Sequence, residues 1–260
     1  MAYGETIAFS KEDKVGIITL NRPDIFNIVS DKFLYELDEI QNDIEKDESI
    51  GAVLIQAKGD HFSAGIDFNT LQNFPAKEAV KKLTWLQRIY GRWQEWPFVV
   101  IVAIQGMCYG SACELALGCD IRIAAEDARI WMPEVRFNIS PDMGGTAKLT
   151  KLVGTGQAKR MLLLCEEIDA QEALRIGFVE KVVPKDKLYE TAFKLARRTT
   201  GLPPAAINFA KKGINMAAES SVYAAQMFEQ AQSCYGLNSK DKQEGINSFF
   251  EKRKPVYTGE

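Results

Sequence analysis

The chain has 260 residues, 46% hydrophobic and 26% charged, enough for one large globular domain or a core with an appendage. Its formal net charge of −3 argues against a nucleic-acid partner, whose phosphates demand a basic face. Lys151, Lys159 and Arg160, or Lys211 and Lys212, make local basic patches suited to a phosphorylated small ligand. No apolar run approaches the roughly 18–20 residues needed to span a bilayer, so no membrane partner is expected. Met1-Ala2-Tyr3-Gly4-Glu5 lacks the basic and apolar regions of a signal peptide. Five cysteines without metal-type spacing point to a reducing, cytoplasmic setting, with Cys113 and Cys119 as small core residues. His61 is the only histidine, which excludes a three-histidine metal site, and it reads as structural. Proton transfer then falls to Glu, Asp, Tyr or Cys.

In chain order, Ile7–Ser10 and Val15–Leu20 predict a hairpin around the charged segment Lys11–Lys14. Asn21-Arg22-Pro23-Asp24 ends it. From Ser30 to about Ile44, apolar residues recur at three- and four-residue spacing, with Ser30 as N-cap and Asp31 at the positive helix end. Ala52–Ala57 predicts a strand and Lys77–Glu95 a long amphipathic helix. Val99–Ile104, six apolar residues in a row, predicts a strand buried on both faces. A short helix over Ala112–Leu117, a strand over Asp120–Ala124 and a helix over Met143–Leu152 follow. Strand–helix alternation implies parallel strands with right-handed crossovers. Beyond Asp169 the segments Ala170–Arg175, Leu188–Arg198, Pro203–Ala217, Ser221–Leu237 and Lys242–Glu251 all predict helix. The simplest partition is an α/β core over residues 1–200 and a helical region over residues 201–260.

Three segments carry the functional signal. They are Phe62-Ser63-Ala64-Gly65-Ile66-Asp67, the small-residue turn Gly106–Glu114 that opens a helix, and Trp131-Met132-Pro133-Glu134 with Ser140-Pro141-Asp142-Met143-Gly144-Gly145 behind it. In this order and spacing they resemble the crotonase family, the enoyl-CoA hydratases and isomerases. The resemblance runs from Asn21-Arg22-Pro23 to Phe250-Glu251-Lys252-Arg253-Lys254-Pro255. It implies a spiral of ββα units with a C-terminal helical region that assembles a homotrimer or homohexamer. It also implies an acyl-CoA thioester substrate, coenzyme A entering as part of that substrate, and no metal or redox cofactor.

A thioester that gains or loses a proton at its α carbon passes through an enolate, and preorganised donors at that oxygen lower the barrier. Small residues at Ala64-Gly65-Ile66 and Gly110-Ser111-Ala112 let a backbone approach closely, and the second segment opens a helix whose first N–H groups are unpaired. By resemblance the two oxyanion donors are the amides of Ile66 and Ser111. Phe26, Ala64, Gly65, Ile66, Asp67, Phe68, Gly110 and Trp131 would border the acyl-CoA. The family commonly has glycine where this chain has Ser111 and Ala112, so the Ser111 hydroxyl is a departure that points into or crowds the pocket.

Hydrating an enoyl thioester needs a base for water and an acid for the α carbon, which two carboxylates of separated pKa can divide. By resemblance Glu114 activates water and Glu134 exchanges the α proton. Asp142 leaves the reaction open. An acid in this loop resembles the dienoyl-CoA isomerases, where paired carboxylates shuttle a proton between carbons, although those enzymes typically have aspartate at the Glu114 position. Ser140-Pro141-Asp142 also reads as N-cap, N1 proline and first-turn acid of the following helix. Trp85 is a further candidate for the acyl pocket wall, and bulky walls favour a compact or cyclic acyl group. A non-catalytic binder is the alternative of a different class.

Overall fold

A computed structural model describes residues 4–72, 77 and 79–260 of the chain. β1 (Ile7–Glu12) and β2 (Val15–Leu20) pair antiparallel, and Asp13 turns the chain with φ 53°. The Ser30 hydroxyl accepts the Phe33 N–H at 3.3 Å and starts α1 (Asp31–Lys46), which buries Phe33, Leu34, Leu37, Ile40 and Ile44. β3 (Ala52–Ala57) follows, then α2 (Phe68–Gln72) and α3 (Ala79–Gly91). The predicted helix over Lys77–Glu95 includes position 78, which lies outside the described residues. At its other end the last turn tightens into a 3₁₀ helix over Arg92–Gln94. β4 (Val99–Ile104), β5 (Met107–Tyr109), α4 (Ser111–Gly118), β6 (Ile121–Ala125) and β7 (Arg129–Trp131) complete the first half.

α5 (Gly145–Val153) and α6 (Thr155–Leu163) lead to β8 (Ile168–Asp169), α7 (Ala170–Arg175) and β9 (Lys181–Val183). The chain closes with α8 (Leu188–Thr199), α9 (Pro204–Ala217), α10 (Val222–Leu237) and α11 (Lys240–Phe250). Among the described residues the strands form two sheets, ordered β1-β2-β3-β4-β6-β9 and β5-β7-β8. From β2 to β9 every pair in the larger sheet is parallel, as the strand–helix alternation implies.

Period-two alternation explains why the strands are continuously apolar. Val53, Ile55, Val100, Val102 and Ile104 enter one core with α1, α3 and α4. Ala52, Leu54, Ile101 and Ala103 enter a second core, covered by Leu188, Ala192 and Ala196 at four-residue spacing on α8. The C-terminal helices attach through a buried cation. Lys211 of α9 donates to the Trp93 carbonyl (2.6 Å), the Phe98 carbonyl (2.9 Å) and Asp120 Oδ2 (2.7 Å). Lys211 is therefore not part of a basic patch, and Arg160 is likewise paired, with Glu166 and Glu172. No helix among the described residues is long and apolar enough to cross a membrane.

Candidate active site

The carboxyl ends of β3 and β4 feed two loops that run side by side, the usual place for a site in a parallel sheet. Ser63 and Cys108 form an isolated bridge, with Ser63 N–H donating to the Met107 carbonyl (2.9 Å) and Tyr109 N–H to the Ser63 carbonyl (3.1 Å). Gly65 has φ 92°, and a Cβ there would lie 2.6 Å from the Tyr109 carbonyl oxygen and 3.7 Å from the Ser111 nitrogen. Only glycine permits that approach. His61 fixes the loop from behind, its Nδ1 accepting the Met107 N–H at 3.2 Å, which is the structural role expected of it.

The amides of Ile66 and Ser111 make no hydrogen bond to a protein acceptor among the described residues. Both residues line a cavity of about 470 Å³. Ser111 is the first residue of α4, so its unpaired N–H also carries the positive end of the helix.

Glu114, one turn further along α4, is buried, and its Oε1 accepts N–H groups from Met143 (2.8 Å) and Gly145 (2.9 Å). A Cβ at Gly145 would lie 2.8 Å from that oxygen, so the glycine admits the carboxylate. Glu134 arrives from the opposite side. β7 pairs with β5, the Gly110 N–H donates to the Trp131 carbonyl (2.8 Å), and Pro133 leads into a 3₁₀ turn over Glu134–Phe137. Among the described residues neither carboxylate oxygen of Glu134 has a well-formed hydrogen bond, although both are buried. A Cβ on Gly110 would stand 3.4 Å from Glu134 Oε1, which places that oxygen beside the Ser111 loop.

Burial raises the Glu114 carboxyl to about 8, with the charge of Glu134 adding to the rise and the two amide bonds opposing it. Burial likewise raises Glu134 to about 7, with Asp142 adding to it. Asp142 is also raised by burial and lines the same cavity. The helix-start reading of Ser140-Pro141-Asp142 is overturned. α5 begins at Gly145 with Gly144 as N-cap, because Glu114 takes the N–H groups of Met143 and Gly145.

Of the other expected residues, Ala64, Gly65, Phe68, Gly110 and Trp131 line the cavity. Phe26 and Asp67 do not. Phe26 is half exposed with its ring 5.5 Å from His61, and Asp67 N–H is bonded to the Val29 carbonyl. Trp85 is not in the wall either, since its indole N–H is drawn to Asp38 Oδ2 at 2.8 Å. Sequence reasoning missed Phe137, Ile139 and Tyr109 in the wall. Tyr109 was legible only as the neighbour of Gly110, and the other two lie in a stretch with no periodicity.

A profile of the enoyl-CoA hydratase/isomerase family matches residues 10–260. The chain belongs to the enoyl-CoA hydratase/isomerase family. It is 34% identical to a short-chain-enoyl-CoA hydratase of Clostridium acetobutylicum, over 95% of each chain. It is 35% identical to a crotonyl-CoA hydratase of Syntrophomonas wolfei, over 98% of each. The crystal structure of an enoyl-CoA hydratase from Bacillus anthracis superposes with a TM-score of 0.93 at 32% identity, covering 98% of this chain and 100% of that one. The α/β architecture expected from the three motifs is therefore that of the enoyl-CoA hydratase/isomerase fold, C-terminal helices included.

Proposed function

We propose that the chain is an enoyl-CoA hydratase, adding water reversibly across the 2,3 double bond of an enoyl thioester. The observation that carries this reading is the pair of buried carboxyls, Glu114 and Glu134, facing one cavity beside two unpaired backbone amides. Ile66 and Ser111 N–H groups would hold the thioester oxygen as charge develops on it, with no reorganisation at the moment of reaction. In the dehydration direction ionised Glu134 takes the α proton and protonated Glu114 gives its proton to the departing β-hydroxyl. Hydration is the same path reversed. Glu114 accepts a proton from water as its oxygen bonds the β carbon, and Glu134 returns a proton to the α carbon. The order of the two carboxyls, about 8 for Glu114 and about 7 for Glu134, matches the dehydration direction, and hydration starts once the shared proton has moved to Glu134.

Coenzyme A is read as part of the substrate, its pantetheine running past Ala64–Phe68 toward Phe26, with no metal or redox group used. Chelator-treated enzyme should keep full activity. Incubation with crotonyl-CoA should yield 3-hydroxybutyryl-CoA. A broad acyl-CoA panel showing double-bond migration without water addition would sink the hydratase reading. A second reading, an enoyl- or dienoyl-CoA isomerase, is favoured by one observation: Asp142 faces the cavity and does not start a helix. Asp142→Asn abolishing deuterium transfer between acyl carbons would establish it, and unimpaired activity would remove it.

Residues 1–200 are read as the catalytic core and 201–260 as an assembly region. Exposed Val222, Tyr223, Phe249 and Phe250 give that region the apolar surface a homotrimer or homohexamer needs. Sedimentation equilibrium distinguishes these, and a monomer at micromolar concentration would refute both. Free thiols throughout the described chain support a cytoplasmic setting, which fractionation of the source cells tests.

A further inference from the structure

Buried polar atoms without partners are few in a folded protein, and each needs a reason. Among the described residues, two hydroxyls near the Glu114 carboxyl have none of ordinary geometry, Ser111 Oγ and the Tyr90 phenol. Ser111 is 4% exposed and Tyr90 fully buried. Of the two residues only Ser111 belongs to the cavity wall, and its hydroxyl, closed to solvent as it stands, reaches the cavity by turning about χ1. Tyr90 stands behind it on α3, which presses against α4 so closely that a Cβ at Gly118 would lie 2.1 Å from the Tyr90 carbonyl oxygen. Burial and then the charge of Glu114 hold the phenol protonated, while the neighbouring Ser111 hydroxyl acts in the opposite sense. The two hydroxyls are thus close enough to feel each other and can complete their bond with a small rotation. Phenylalanine at 90 and alanine at 111 would fill nearly the same space with no hydroxyl to desolvate.

Resting on the hydratase reading, we propose that Ser111 is a further catalytic residue: its hydroxyl, backed by Tyr90 as a positioning residue, orients the attacking water. Tyr90 donates to Ser111 Oγ, which turns the Ser111 proton outward into the cavity. A water there has two protons and two lone pairs. Its protons go to Glu114 and Glu134, and one lone pair accepts from Ser111. The remaining lone pair is left facing the β carbon. No covalent bond to Ser111 forms. As the water oxygen bonds the β carbon, its proton passes to Glu114.

The test separates water addition from α-proton chemistry. Crotonyl-CoA hydration reports both, whereas exchange of butyryl-CoA α protons in D2O needs only the enolate site and Glu134. Ser111→Ala keeps the backbone N–H, so exchange should stay within about twofold while kcat for hydration falls on the order of tenfold to hundredfold with little change in KM. Tyr90→Phe should show the same split at smaller size, and Ser111→Thr should recover part of the loss. Ser111→Ala hydrating at the wild-type rate overturns the proposal, as does an equal loss of hydration and exchange. Should Ser111→Ala fail to fold by circular dichroism, Ser111→Gly and Tyr90→Phe read the same pair. If the wild type adds no water to any enoyl-CoA, the hydratase reading fails and takes this role with it. If the wild type hydrates and the variants do so equally, only the Ser111 role fails.

Discussion

Two of the regions that take carboxylates out of solvent, the root of α9 and the cavity, surround them differently. At the root of α9, Asp120 Oδ2 accepts from the Lys211 ammonium and the Val100 N–H, each at 2.7 Å. Arg122 nearby is bonded to Glu180 and to the Phe178 and Cys119 carbonyls. In the cavity, among the described residues, Glu134 has no well-formed hydrogen-bond partner and Glu114 accepts only from backbone amides. Burial pushes all of these carboxyls upward, but at Asp120 the Lys211 ammonium and the Val100 N–H oppose the rise, whereas in the cavity the neighbouring carboxyls add to it. Burial alone therefore does not mark a reacting group. What sets Glu114 and Glu134 apart is the raised carboxyl on a shared cavity wall.

That contrast is most sharply broken by exchanging carboxyl for amide in each region. Glu134→Gln should lower kcat by about 10²–10⁴, the usual range for a general acid–base group, while leaving the melting temperature unchanged or higher. Lys211→Met should do the reverse. It strands Asp120 without its cation and should destabilise the protein by about 3–5 kcal/mol. Activity per folded molecule should persist, measured by urea denaturation alongside initial rates. A Lys211→Met protein as stable as the wild type would mean that the ion pair does not anchor α9. The pH profile gives the next largest effect. The reactive state holds one proton between Glu114 and Glu134, so kcat/KM should follow a narrow bell. It should fall below about 7, where both are protonated, and above about 8, where both are ionised. A plateau extending down to pH 5 would contradict the raised carboxyls.

Much of this contrast was legible in the sequence, but unevenly. The six-residue strands and α1 announce themselves because period and composition agree over a long enough window. β5, β7, β8 and β9 span only two or three residues, too short for any period to show, and their places are set by pairing across the chain. Glu114 and Glu134 were visible through their flanking motifs. The start of α5 was misplaced because Ser140-Pro141-Asp142 carries three local start signals, an N-cap serine, an N1 proline and a first-turn acid. The Met143 and Gly145 N–H groups are instead satisfied by Glu114, 29 and 31 residues earlier in the chain. Lys211 looked like part of a surface patch, since nothing local marks a lysine as the partner of Asp120, 91 positions away.

The smallest expected effect isolates burial from pairing at one residue. In Glu114→Gln the amide oxygen can still accept from Met143 and Gly145, so packing is kept while ionisation is removed. The native carboxyl keeps its proton up to about 8, whereas an unfolded glutamate releases it near the usual 4.5. The native state thus binds the extra proton, and the wild-type protein loses stability as pH rises from 4.5 through 8. The glutamine variant lacks that slope. At pH 5 the two proteins should melt within a degree or so of each other. At pH 9 the variant should be more stable by about 1–3 kcal/mol, or roughly 2–10 °C in Tm. Parallel wild-type and variant curves across this range would mean that Glu114 ionises at its ordinary pH, and its two amide bonds would then count as pairing enough, as Lys211 does for Asp120.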